Sequence, residues 1–166
     1  MGNTLDNVQA AFAGESQANR RYLFFADKAD KEGHKQIARL FRAAADAETI
    51  HARNHLEVMN GIGTTADNLK TAVAGEHYEF TQMYPGFIEQ AKSEKSEKAE
   101  TSFTLANKVE KIHHNLYQNA LKALKAGQKL KNEPYFVCQV CGNTIGGAAP
   151  EKCPICGAPK SQFRKV

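Results

Sequence analysis

Residues 48–51 read Glu-Thr-Ile-His, and residues 110–113 read Glu-Lys-Ile-His. In each motif the glutamate precedes the histidine by one helical turn, so both side chains lie on the same face of a helix. The first motif also continues an apolar stripe that contains Leu40, Phe41 and Ala44. A carboxylate on such a stripe is costly to bury unless an opposite charge neutralises it. The repeated motif therefore points to metal binding inside a helical protein.

Apolar residues recur at helical spacing over most of the chain before the linker at 128–134. The pattern predicts four helices, with stops at Gly33, at the Asn60–Gly63 segment and at Gly127. Pro85 lies inside the third helix and should kink it or interrupt its hydrogen bonding. Four helices of about 25 residues with short connections are typical of an all-α four-helix bundle. The predicted helices span residues 5–31, 35–60, 65–93 and 98–126.

The two remaining helices also carry glutamates on their apolar stripes. Glu15 follows Ala11 and Phe12 in the first helix, and Glu76 and Glu79 lie in the third. Inward glutamates that converge on one axis would repel one another and be driven to protonate. A glutamate from each of two helices, with Glu-x-x-His from the other two, is the ligand pattern of di-iron and di-manganese carboxylate proteins. Carboxylate and imidazole ligands favour iron or manganese.

All four cysteines lie in the last 29 residues, as the pairs Cys138/Cys141 and Cys153/Cys156. Two Cys-x-x-Cys pairs build a tetrahedral thiolate site that holds zinc or one iron. A segment of about 30 residues buries too little apolar surface to fold without such a metal. We therefore predict two domains, at residues 1–130 and 134–166. Taken alone, the cysteine pattern leaves a structural zinc ribbon open.

The composition is that of a soluble globular protein, with 42% hydrophobic and 24% charged residues. The net charge of +4 is modest, and basic residues alternate with Glu and Ala, so no nucleic-acid partner is expected. No apolar run reaches the ~18 residues of a membrane span. The N-terminal sequence lacks the features of an export signal. These observations favour a cytoplasmic protein without membrane contact.

The motifs together resemble the rubrerythrin family over nearly the whole chain. The resemblance rests on GESQANRRY at 14–22, GEHYEFTQMY at 75–84, the two Glu-x-x-His motifs and the CxxCG and CPxCG knuckles. It implies a ferritin-like di-iron four-helix bundle followed by a rubredoxin-like domain. The implied cofactors are two iron ions in the bundle, joined by an oxo or hydroxo bridge, and one iron at the cysteines, for which zinc can substitute.

The resemblance also implies how the metal ligands divide between the two irons. Glu48 and Glu110 would bridge both ions. Glu15 would bind one iron, whereas Glu76 and His113 would bind the other. The remaining ligands would depend on the redox state.

Four further residues receive roles from the same resemblance. His51 and Glu79 would alternate as a ligand of the first iron, with histidine bound in the reduced state and glutamate in the oxidised state. Glu79 is a carboxylate beyond the six-ligand set of other ferritin-like di-iron proteins. Tyr22 and Tyr84 would hydrogen-bond to ligand carboxylates.

The implied activity is the reduction of hydrogen peroxide to water in oxidative-stress defence. A rubredoxin or an NAD(P)H-dependent reductase would donate electrons through the four-cysteine iron, and electrons would pass between subunits of a head-to-tail homodimer. Two alternatives remain open. The first is ferritin-like iron oxidation and storage, and the second is a zinc-ribbon interaction protein with a vestigial bundle site.

Overall fold

The structure, a computed structural model, describes residues 3–166. It confirms the predicted fold class of a helical bundle protein with a small C-terminal sheet. The elements form two compact units; the first ends at Gly63 and the second begins at Thr64. None of the helices in the described residues has the length and apolarity of a membrane span. The elements are α1 (Thr4–Lys31), α2 (Lys35–Val58), α3 (Thr65–Tyr78), a π-helical turn (Glu79–Met83), α4 (Tyr84–Ser93), α5 (Glu97–Lys125), β1 (Tyr135–Cys138), β2 (Thr144–Gly146), a 3₁₀ turn (Lys160–Gln162) and β3 (Phe163–Lys165).

The first unit is a hairpin of α1 and α2. Asn3 and Asp6 close a capping box at the start of α1, in which each side chain accepts a hydrogen bond from the other residue's backbone N–H. Gly33 has a φ of +84° just beyond the end of α1, in the left-handed region that glycine adopts readily. This confirms the predicted helix stop at Gly33.

Small side chains form the contact between α1 and α2. Ala26 and Ala38 are fully buried, and Ala45 is 1% exposed. Alanines let the two helix axes approach closely, which leaves larger residues at the edges of the contact. Leu40 therefore remains 67% exposed and Ile50 60% exposed, although both continue the apolar stripe of α2.

In the second unit, the third predicted helix is divided into three pieces. Thr64 caps α3 by accepting a hydrogen bond from the Asp67 backbone N–H. The π-helical turn at Glu79–Met83 then separates α3 from α4, and Pro85 lies in the first turn of α4. Since proline has no N–H and its ring clashes with the carbonyl four residues earlier, the wider turn accommodates it. The predicted interruption at Pro85 is confirmed.

The C-terminal part of the second unit is a three-stranded antiparallel sheet in the order β2-β1-β3. The first cysteine pair follows β1, and the Gly142 N–H donates to the Cys138 carbonyl at 2.8 Å. The second pair repeats this turn, with Gly157 N–H donating to the Cys153 carbonyl at 2.9 Å. Both glycines have positive φ angles, so a side chain at either position would strain the knuckle.

Candidate metal sites

The first carboxylate cluster lies in the α1–α2 hairpin. Ligand atoms of Glu15, Glu48 and His51 all lie within 4.8 Å of one another. His51 Nδ1 is 2.8 Å from Glu48 Oε2, which is the contact that a three-residue spacing on one helix allows. The Glu48 side chain is 17% exposed and that of His51 53% exposed. The hairpin thus brings together one glutamate from α1 and the Glu-x-x-His motif of α2.

A second cluster of the same composition lies between α3 and α5. It contains Glu76, Glu110 and His113, again with all ligand atoms within 4.8 Å. His113 Nδ1 lies 2.7 Å from Glu110 Oε2 and 3.9 Å from Glu76 Oε1. All three side chains are largely buried. Each compact unit therefore carries one cluster of two carboxylates and one imidazole.

The electrostatics of the second cluster favour a bound cation. Burial, and then the negative charge of Glu110, raise the pKa of Glu76 to about 7. A hydrogen bond with Glu110 raises the pKa of His113, although burial of the imidazole opposes this. In the absence of a metal the cluster thus holds protons to limit repulsion between its carboxylates. A cation can replace those protons, and carboxylate oxygens with imidazole nitrogens are ligands that suit iron.

Glu79 occupies the first position of the π-helical turn, next to this cluster but outside the three residues that share it. Burial and the charge of Glu110 raise its pKa, while His113 lowers it. Its carboxylate therefore senses both residues of the second Glu-x-x-His motif. π-Helical turns occur frequently at functional sites because they change which residues face inward. The ligand role of Glu79 remains a prediction.

The two predicted tyrosines lie in aromatic clusters. Tyr22 packs with Phe41 at 6.1 Å between ring centroids, and Tyr84 packs with Phe103 at 6.2 Å. Burial, and then the charge of Glu110, raise the pKa of Tyr84, so its hydroxyl stays protonated near the carboxylates. Within the described residues neither hydroxyl has a hydrogen-bond partner, and the contacts of Tyr22 and Tyr84 with ligand carboxylates remain predictions.

The four cysteines converge on one point. Cys138 Sγ is 3.7 Å from Cys156 Sγ, and Cys141 Sγ is 3.7 Å from Cys153 Sγ. All four are free thiols, and their sulfur atoms lie within 4.8 Å of one another. These separations between knuckles suit four thiolates around one tetrahedral ion.

The thiols differ in how readily they ionise. Burial raises the pKa of Cys141. Burial also acts to raise the pKa of Cys153, but backbone N–H groups of Cys156 and Ile155 outweigh it and lower the value to about 6. The buried Asn143 amide adds a contact to the Cys153 sulfur at 3.6 Å. One thiolate therefore forms readily, and a metal ion is needed to deprotonate the rest.

Sequence reasoning did not identify two residues that border these clusters. Asn143 follows Cys141 and Gly142 directly, so its position in the first knuckle was a usable signal. Thr144, by contrast, contacts His113 at 3.0 Å from 31 residues away, and nothing in the local sequence indicates this. The contact depends on how the sheet docks against α5.

Two family models match the chain. The model described as rubrerythrin covers residues 6–121, which is more than half of the chain. The chain belongs to the rubrerythrin family. The model described as the rubredoxin-like domain of rubrerythrin covers residues 136–164, the part that holds all four cysteines. The resemblance to rubrerythrins is therefore confirmed over both parts of the sequence.

Full-length relatives support the same assignment. The chain is 36% identical to Rubrerythrin-2 of Clostridium acetobutylicum, over 97% of this chain and 95% of the relative. It is 38% identical to a rubrerythrin of Porphyromonas gingivalis, over 98% of this chain and 90% of the relative. Among solved structures, a mixed-valence state of nigerythrin matches with 36% identity and a TM-score of 0.58, and the match covers 100% of this chain and 88% of nigerythrin.

Membership of the rubrerythrin family and the donor clusters confirm the predicted cofactors. The helical part of this rubrerythrin-family protein has the carboxylate and histidine ligands of a di-iron protein, and the rubredoxin-like part has the four thiolates of a single-iron site. Both donor sets fit their ions chemically, since carboxylates suit iron and tetrahedral thiolates suit one iron or zinc.

Proposed function

We propose that this protein is a non-haem di-iron peroxidase that reduces hydrogen peroxide to water in oxidative-stress defence. One peroxide takes up two electrons and two protons and yields two water molecules. The electrons come from an external donor, a rubredoxin or an NAD(P)H-dependent reductase, and enter through the four-cysteine iron. The proposal rests on family membership and on the pairing of a carboxylate cluster with a one-electron thiolate site.

One contact carries most of the argument. His113, a member of the second carboxylate cluster, is hydrogen-bonded to Thr144 of the rubredoxin-like part at 3.0 Å. An enzyme that must be re-reduced after each peroxide needs a one-electron site close to its reaction centre. An iron-storage protein has no need of such a neighbour, so the contact favours peroxidase activity over storage.

The proposed ligands of the two irons are the seven carboxylate and imidazole side chains of the helical part. When bound, the irons supply two electrons and polarise the peroxide oxygens. The protein holds the carboxylates in largely buried positions where they compensate the positive charge. The proposed ligands are Glu15, Glu48, His51, Glu76, Glu79, Glu110 and His113.

Two side chains next to the second cluster have proposed supporting roles. Glu79 is the additional carboxylate, and the π-helical turn allows it to change position with less disturbance than a regular helix would. Tyr84 keeps its proton because burial and the charge of Glu110 raise its pKa. Its hydroxyl can therefore donate a hydrogen bond to a carboxylate or to a peroxide oxygen.

A homodimer is also proposed. Several large apolar side chains of the described residues are well exposed, including Phe24 at 68% and Leu40 at 67%. Apolar side chains exposed in such numbers are typical of surfaces that associate. The four free thiols further support a reducing compartment such as the cytoplasm.

The test is a single-turnover experiment on purified, iron-loaded protein. The protein is reduced under anaerobic conditions and then receives peroxide in stoichiometric amounts while the thiolate-to-iron absorption is recorded. We expect the absorption to bleach on reduction and to return with peroxide, with two electrons consumed per peroxide. A protein that holds zinc at the cysteines, or that oxidises iron with oxygen but gives no peroxide-dependent return, would contradict the proposal.

A further inference from the structure

The Thr144 hydroxyl lies between His113 and the first cysteine knuckle. Its oxygen is 3.0 Å from His113 Nε2 and 3.1 Å from the Gly142 carbonyl oxygen. A carbonyl oxygen can only accept, so the hydroxyl proton is donated to Gly142. The hydroxyl oxygen is then free to accept a hydrogen bond from Nε2–H. The two contacts together define the direction of both hydrogen bonds.

This direction determines which ring nitrogen of His113 is available to a metal. When Nε2 carries the proton of a neutral imidazole, Nδ1 keeps its lone pair. Nδ1 is the nitrogen that faces the carboxylates, at 2.7 Å from Glu110 and 3.9 Å from Glu76. Thr144 thus turns the electron-pair side of the ring toward the cluster.

The same hydroxyl connects the cluster to the four-cysteine site. Gly142 is bonded through its peptide to Cys141, one of the four metal-binding cysteines. Gly142 also lies against α5, since a Cβ built on it would be 3.7 Å from a methyl group of Val109. Val109 is 2% exposed and lies one helical turn before His113, so the knuckle is firmly packed at this point.

We propose that Thr144 is a positioning residue that orients His113 and couples the four-cysteine site to the carboxylate cluster within one chain. The inference rests on the proposed function. The route runs from Cys141 through the Gly142 carbonyl and the Thr144 hydroxyl to His113. Each peroxide requires two successive one-electron transfers along this route, and each transfer oxidises the four-cysteine site by one electron. Two protons from solvent complete the two water molecules.

The test compares Thr144→Val, which keeps the shape but lacks the hydroxyl, with Thr144→Ser, which keeps the hydroxyl. Thr71→Val is the matched control, because the exposed Thr71 hydroxyl bonds only to a carbonyl of its own helix. In iron-loaded protein, we expect Thr144→Val to slow peroxide-driven reoxidation of the four-cysteine site about 10-fold or more, a typical effect of losing a hydrogen bond to a metal ligand. Thr144→Ser and Thr71→Val should behave like the parent protein.

A second measurement reports orientation without activity. In protein loaded with zinc, ¹⁵N-edited NMR should show a hydrogen-bonded Nε2–H signal from His113. The signal should weaken or shift in Thr144→Val and return in Thr144→Ser. An unchanged signal and an unchanged rate in Thr144→Val would overturn the proposal, as would equal defects in both Thr144 variants. If the parent protein fails to react with peroxide, the proposed function fails, whereas the NMR result still decides the orientation.

Coupling within one chain has its own test. Chains carrying Cys153→Ser, which lack the one-electron site, are co-expressed with chains carrying Glu110→Gln, which have a defective cluster. Both sites of the proposed route belong to the second unit of the same chain. We therefore expect no recovery of donor-driven peroxide turnover in the mixture. Recovery to about half of the parent activity would show transfer between chains and would overturn this part of the proposal.

Discussion

In metal-free protein, Glu76 should destabilise the fold as its carboxyl group ionises. Burial and the charge of Glu110 raise its pKa from 4.5 to about 7 in the folded state. Since the folded state holds this proton more tightly than the unfolded state, the free energy of unfolding falls as the pH rises from about 4.5 to about 7 and stays low above that range. Glu76→Gln carries a neutral side chain of similar shape and should lack this fall.

The size of the effect follows from the pKa difference and the exposure of the side chain. Each pKa unit is worth ~1.36 kcal/mol, so the change from 4.5 to about 7 corresponds to at most about 3.4 kcal/mol. The Glu76 side chain is still 19% exposed, and water screens part of the repulsion. We therefore expect a contribution of about 1–2 kcal/mol.

The assay is equilibrium urea unfolding in the presence of a chelator, from about pH 5 to about pH 8. Near neutral pH, Glu76→Gln should be more stable than the parent protein, and the two should converge at acidic pH. Glu89→Gln is the control, because Glu89 is exposed and should follow the parent protein at every pH. Parallel curves for Glu76→Gln and the parent protein would refute the reasoning, because Glu76 would then have the same pKa in both states.

Three further predictions concern other parts of the molecule. Asn19→Ala removes the buried amide that donates to the Ala45 carbonyl at 2.7 Å and to Thr49 at 2.9 Å, so urea unfolding should show a loss of about 1–3 kcal/mol, whereas exposed Asn7→Ala should change little. Glu79→Ala should slow peroxide turnover several-fold while metal analysis still finds most of the iron; unchanged turnover would argue against a ligand role. Cys153→Ser should abolish the thiolate-to-iron absorption and unfold the small sheet while far-UV circular dichroism retains the helical signal, because the sheet depends on its metal; an intact thiolate spectrum would contradict the proposed iron site.

The predicted helix limits agree well with the structure because their signals are local. Gly33 ends α1 through its left-handed conformation, and Pro85 interrupts the third helix through its missing N–H. The interruption takes the form of a π-helical turn over Glu79–Met83, which the sequence did not specify. Hydrophobic periodicity also overstated the burial of Leu40, since it identifies the apolar face of a helix but not which part of that face meets a neighbour.

By itself, the sequence determined which side chains share a face and which chemistry they offer. A three-residue spacing on a helix places Glu48 beside His51 whatever surrounds them, and Cys-x-x-Cys forms a knuckle in a similar way. Only the tertiary structure decided that Glu15 joins the first motif, that Glu76 joins the second, and that Thr144 contacts His113. Those meetings depend on the register between helices and on the docking of the sheet, which many packing contacts set together rather than any local pattern.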